Sequence, residues 1–141
     1  MNKYLMILLV MCVSAFGLKA AFLEKERAQA LHENKLLLVS VTKENCPYCM
    51  LMEEDVFNVA TYMKAIQKHY IRVEIKKDDS SLPEELHVKY YPTNLILDPH
   101  DLKRIDEFIG YTKPAIFLEL LDEVYDQEIT SSDNTSPQGK K

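Results

Sequence analysis

A strand-like run, Leu36-Leu37-Leu38-Val39-Ser40-Val41-Thr42, passes through Lys43-Glu44-Asn45 into a helical pattern that opens with Cys46-Pro47-Tyr48-Cys49. This junction constrains the fold more than any other stretch. A strand so uniformly apolar is covered on both faces, so helices are expected above and below it. Proline suits the first helical position, which puts Cys46 at the helix N-terminus. There, free backbone N–H groups and the helix dipole favour thiolate over thiol. Cys49 lies about one turn further on, within reach of Cys46. The pair therefore reads as a redox-active dithiol, in which Cys46 attacks and Cys49 closes the disulfide and expels the bound partner.

The cysteine count sharpens that reading. The 141-residue chain holds three cysteines, and only Cys46 and Cys49 lie outside an apolar N-terminal leader. Residues 1–20 carry Lys3, an apolar stretch from Tyr4 to Phe16, and small residues at Ala15 and Ala20. They read as a secretory signal peptide with two candidate cleavage sites. The alternative is an uncleaved anchor, although about 15 apolar residues fall short of the roughly 20 that span a bilayer. Met11 stands before Cys12 where a lipoprotein needs a small residue, so Cys12 is expected to leave with the leader. An exported domain with only a C-x-x-C pair has no other cysteine for a structural bridge, and a clip across so short a loop adds little stability. Beyond the leader, 15 basic stand against 22 acidic residues, a net charge of −7 that argues against a nucleic-acid partner.

Length sets one domain, residues 21–129, followed by a polar tail, residues 130–141, too poor in apolar residues to order itself. Within the domain, residues 22–34 read as an amphipathic helix and residues 58–69 as another. Residues 70–75 alternate as a strand, and residues 82–88 read as a short helix with Pro83 near its start. Residues 93–97 and 102–109 pair as antiparallel strands across the turn Asp98-Pro99-His100-Asp101. Lys113-Pro114 opens a last helix with an apolar stripe of Ile116, Phe117, Leu120, Leu121 and Val124.

That order of elements resembles the thioredoxin fold, an α/β architecture with a central mixed sheet flanked by helices and a C-x-x-C at a helix N-terminus. The stretch Cys-x-x-Cys-x-x-Met-Glu at 46–53, followed by Val56-Phe57, resembles exported, periplasmic thioredoxin-like proteins related to the C-terminal domain of the transmembrane thiol-reductant transporter. Tyr91-Pro92-Thr93 falls where that family has its cis-proline loop, and Gly110-Tyr111 where it has a groove-lining glycine. Base rates alone predict a trans bond at Pro92; the resemblance implies a cis one, with Tyr91 and Pro92 forming a docking edge for an extended substrate segment. The other reading of Pro92 is an ordinary proline at the start of an edge strand. The chain departs from the family in having Asn45 rather than Trp before Cys46, Met50 rather than Lys, and Ser40 where thioredoxins carry a buried acid. Glu74 is then a weak candidate for the proton acceptor of Cys49. The Thr-Val-Pro and Gly-Gly elements of glutaredoxins are missing, which ranks glutathione chemistry low.

The resemblance implies an exported thiol:disulfide oxidoreductase without cofactor or metal. Its substrates are protein disulfides, its electrons come from a membrane thiol donor, and it acts as a monomer that meets the membrane only if the leader is uncleaved. Pro47 shapes the helix start, and Tyr48 tunes and shields the pair. The reducing direction is preferred over a disulfide oxidase or isomerase. Two other classes stand beside it: a copper-binding or copper-delivering domain using Cys46, Cys49 and Met50 or Met52, and a redox-silent adaptor. Both methionines are expected as core filling, His32, His69, His87 and His100 as surface residues without ligand spacing, and Glu53-Glu54-Asp55 as a solvated face.

Overall fold

The computed structural model describes residues 22–135; residues 1–21, which include the leader and Cys12, and residues 136–141 lie outside them. Helix α1 (Glu24–Glu33) ends where Asn34 turns left-handed, φ 53°, and leads into β1 (Leu36–Thr42). Helix α2 (Pro47–Met52) runs on as a widened π turn, Glu53–Phe57, before α3 (Ala60–His69) and β2 (Tyr70–Lys76). A single 3₁₀ turn, Glu84–Leu86, precedes β3 (Thr93–Leu97), β4 (Arg104–Ile109) and α4 (Pro114–Thr135). The four strands lie in the order β2-β1-β3-β4, with β1 parallel to β2 and antiparallel to β3, and β3 antiparallel to β4.

The central place of β1 follows from its composition: every residue from Leu37 to Thr42 is buried. Successive side chains serve opposite faces. Leu38 packs with Met52, Val56, Phe57, Ile66, Phe117 and Leu121 beneath α2, α3 and α4. Leu37, Val39 and Val41 pack with Ala30, Ile75, Leu82, Leu86 and Leu95 beneath α1 and the 3₁₀ turn. Phe117 sits at the centre of the first layer, edge-on to both Phe57 and Phe108 at 5.9 Å. Each such fully buried side chain contributes about 1.5–3 kcal/mol through removal from water.

Three elements differ from the sequence expectation. The helix expected at 82–88 shrinks to Glu84–Leu86, because Pro83 and His87 are extended on either side, with ψ 147° and 141°. Strand β4 begins at Arg104 rather than 102: Leu102 adopts φ 63° and donates its N–H to Asp98 O at 2.9 Å, closing the turn. Helix α4 passes the composition change at Thr130 and continues to Thr135, where no order was expected. Thr130 and Ser131 hydroxyls donate back to the Asp126 and Gln127 carbonyls at 2.7 and 2.8 Å, so these polar residues join a helix already nucleated by its apolar stripe. Among the described residues no helix is long and apolar enough to cross a membrane.

Candidate dithiol active site

Both halves of the site lie at one end of the sheet. Val41, near the C-terminal end of β1, pairs with Thr93 at the start of β3. The chain leaving β1 reaches Cys46, and the chain entering β3 comes from Pro92. Asn45 turns left-handed, φ 52°, immediately before Cys46. Asn is among the few residues other than glycine that accept this conformation readily.

Cys46 is the N-cap of α2, in extended conformation, with Pro47 at the first helical position as expected. Its Sγ accepts the Cys49 N–H at 3.2 Å and is bonded to Cys49 Sγ, with the two Cα atoms 5.2 Å apart. A sulfur in this place receives an otherwise orphaned backbone donor and the positive end of the helix. Exposure divides the pair, and not in favour of the sulfur expected to attack. In this disulfide form Cys46 is only 4% exposed, whereas Cys49 is half-buried. Tyr48 and Met50 stand out on either side of Cys49, each 61% exposed. Met52 alone of the two methionines fills the core, so any third sulfur for a soft metal would be Met50. Among the described residues no group of three His, Cys, Asp or Glu could hold a metal ion.

A cleft of about 280 Å³ opens beside the disulfide, lined by Cys46, Cys49, Met50, Thr42, Glu53, Glu74 and Lys76 among others. Ser40, at the position of the thioredoxin acid, is buried and donates to Asn94 Oδ1 at 2.7 Å. Directly across the β1/β2 pairing from Ser40 stands Glu74, so the carboxylate is displaced by one strand. Glu74 Oε1 accepts from Lys76 Nζ at 2.5 Å and from Thr42 Oγ1 at 3.0 Å. The hydrogen bond from Lys76 holds its carboxyl below the usual carboxylate range against the opposing effect of partial burial, with Thr42 adding to the fall. Glu74 therefore stands as a fixed negative charge on the cleft wall and a weaker base than an ordinary carboxylate.

Glu53 and Asp55 are not the solvated face the sequence suggested. Glu53 accepts from Arg72 Nη2 at 2.7 Å, and Arg72 lies over the Phe57 ring at 3.8 Å from its centroid, with Glu74 3.7 Å from the same nitrogen. Asp55 accepts from the Tyr111 hydroxyl at 2.7 Å. Of the histidines expected at the surface, His69 is half-buried and stacks on Tyr125 at 4.0 Å.

The Tyr91–Pro92 bond is cis, as the resemblance implied and the base rate did not. Pro92 is buried, and its carbonyl accepts the Gly110 N–H at 2.7 Å, which extends the β3/β4 ladder by one rung. Tyr91 donates its hydroxyl to Val88 O at 3.0 Å, and Lys43 Nζ lies 5.7 Å from the centre of its ring. That cation joins the loop before Cys46 to the loop before Pro92, a contact without a local signal in the sequence. Beside it, Tyr90 and Ile109 are 64% and 54% exposed, an apolar margin to this end of the sheet. The arrangement of two sulfurs at a helix N-terminus, an adjoining cleft and a cis-proline loop suits thiol–disulfide exchange.

The family model for the thioredoxin-like domain matches residues 23–125, and the chain belongs to that family. Its fold is shared by a thioredoxin from Thermus thermophilus, 22% identical with TM-score 0.59 over 71% of this chain and 81% of that one. The periplasmic thioredoxin SoxS from Paracoccus pantotrophus is 17% identical, with TM-score 0.55 over 67% of this chain and 99% of its own. The DsbD C-terminal domain from Neisseria meningitidis is 18% identical, with TM-score 0.56 over 72% and 92%. No curated protein sequence matches the chain.

Proposed function

We propose that this chain is an exported thiol:disulfide oxidoreductase that reduces protein disulfides. The observation that carries the proposal is Cys46 Sγ at the helix N-cap, accepting the Cys49 N–H with its bonding partner one turn away. In the reduced state the Cys46 thiolate attacks one sulfur of a substrate disulfide. The substrate S–S bond breaks, a mixed disulfide forms, and the departing substrate thiolate takes a proton from solvent. Cys49, as thiolate, then attacks Cys46 Sγ. The second substrate thiolate leaves, and the Cys46–Cys49 disulfide closes with two electrons passed to the substrate. A membrane thiol donor restores the dithiol by the reverse exchange.

Pro47 starts the helix, Tyr48 shields the pair, and the Tyr91–Pro92 edge receives an extended segment of substrate. Export, through cleavage of residues 1–20, and action as a monomer complete the proposal. The reducing direction is supported by the absence of any further cysteine outside the leader, and export by likeness to proteins whose names place them in the periplasm or in DsbD. The test is a trapping pair with a potential. Cys49→Ser should accumulate a mixed disulfide with reduced-and-reoxidised insulin through Cys46, and Cys46→Ser should abolish turnover. Equilibration with glutathione buffers should give a potential below the glutathione range. A couple well above that range means oxidation or isomerisation, and trapping through Cys49 in Cys46→Ser reverses the two sulfur roles.

A further inference from the structure

The two halves of the site stand on different elements, the dithiol on α2 and the docking edge at the start of β3. Two hydrogen bonds tie them together. The Gly110 N–H donates to Pro92 O at 2.7 Å, and the next residue, Tyr111, donates its hydroxyl to Asp55 Oδ2 at 2.7 Å. Asp55 belongs to the π turn that continues the dithiol helix, where the Asn58 N–H reaches back five residues to Glu53 O at 2.7 Å. A closed path thus runs from the dithiol helix through Asp55, Tyr111 and Gly110 to Pro92, with each non-covalent step made by a short bond.

We infer that the Asp55–Tyr111 hydrogen bond is a positioning clamp that fixes the cis-proline loop against the dithiol helix and so sets affinity for protein disulfides. This rests on the oxidoreductase reading above. The Tyr111 ring packs half-buried against the Phe117 core layer, so its phenol has little freedom to swing, and its acceptor is a carboxylate. The bond to Asp55 pushes the Tyr111 phenol up from its ordinary range, which keeps it a donor through neutral and moderately alkaline pH. A hydrogen bond accepted by a carboxylate is stronger than one between neutral groups. Neither side chain is fully buried, so their pairing does less for the core than for the geometry between two loops.

Tyr111→Phe keeps the ring and removes the bond; Asp55→Ala removes it from the other side. In the full chain, both should raise the KM for insulin reduction about fivefold, within what losing a charge-assisted hydrogen bond allows, with kcat inside about twofold. The preference for insulin over hydroxyethyl disulfide, as a ratio of kcat/KM, should fall by a similar factor. Amide exchange at Gly110 should quicken in both variants, a readout independent of activity. Unchanged KM with only a lowered Tm overturns the clamp, as does an equal loss with both disulfides, which places the effect on the sulfurs. A wild type that reduces neither disulfide overturns the oxidoreductase reading instead, and Gly110 exchange then decides whether the two loops are coupled at all.

Discussion

Glu74 is a carboxylate held too firmly to serve as a base. Lys76 and Thr42 both donate to the same carboxylate oxygen, so the proton it would need to accept is discouraged by bonds already made. Its charge persists, and charge on a cleft wall shared with Cys46 and Cys49 disfavours a thiolate there. Glu74→Gln should therefore stabilise the reduced, thiolate-bearing form. We expect the potential of the couple to rise by on the order of 20 mV, somewhat under the 30 mV that corresponds to about 1.4 kcal/mol. Glutathione equilibration of the variant beside the parent measures it; a fall in potential would mean that Glu74 acts as a base after all. The sign for stability is the opposite of a buried tyrosine's. A depressed carboxyl stabilises the fold above its ordinary value of 4.5, and that contribution is lost as pH falls through the lower folded value.

Among the elements, helix α4 is tied to the sheet by its apolar stripe and by a buried hydroxyl. Tyr70, the first residue of β2, is 1% exposed and donates to Leu121 O at 2.6 Å inside the core layer of Phe117. Tyr70→Phe preserves the ring and deletes the bond. A loss of about 1 kcal/mol is expected, read as a lower urea midpoint at constant slope. The strand core itself was plain in the sequence: the apolar run of β1, the alternation of β2 and the Asp98-Pro99 turn mark these elements through side-chain periodicity alone. The dithiol was equally plain, since proline and two cysteines at a strand–helix junction carry their chemistry locally. What escaped was long-range. Nothing near Glu53 or Asp55 announces Arg72 or Tyr111 as a partner, and three acids in a row at a helix surface read as solvated. The parallel register that sets Glu74 opposite Ser40 depends on a crossover whose length fixes no pairing. The cis bond at Pro92 was legible only through family likeness, because dipeptide chemistry favours the opposite isomer.

For the molecule as a whole, the same Tyr70 sets an alkaline limit. Burial pushes its phenol well above the ordinary value of 10.0, with the negative charge of Asp122 adding to the rise. The folded state therefore holds a proton that the unfolded chain releases above about pH 10. Stability should be fully present below that pH and decline as pH rises beyond it. Urea midpoints collected on both sides of the transition check this, and Tyr70→Phe should flatten the decline. A decline of equal steepness in the variant assigns the effect to other groups.

Gly110 carries one more consequence. Its backbone is left-handed, φ 82°, and a Cβ built there would meet nothing within 4 Å. Glycine is thus required by torsion and not by crowding, and the vacant ground beside the cis-proline loop is bare main chain. A polypeptide docked there as proposed meets no side chain at that point to approve or refuse its own. Selection among the substrates proposed for this edge then rests on the flanking Tyr90 and Ile109, whose side chains stand exposed beside it.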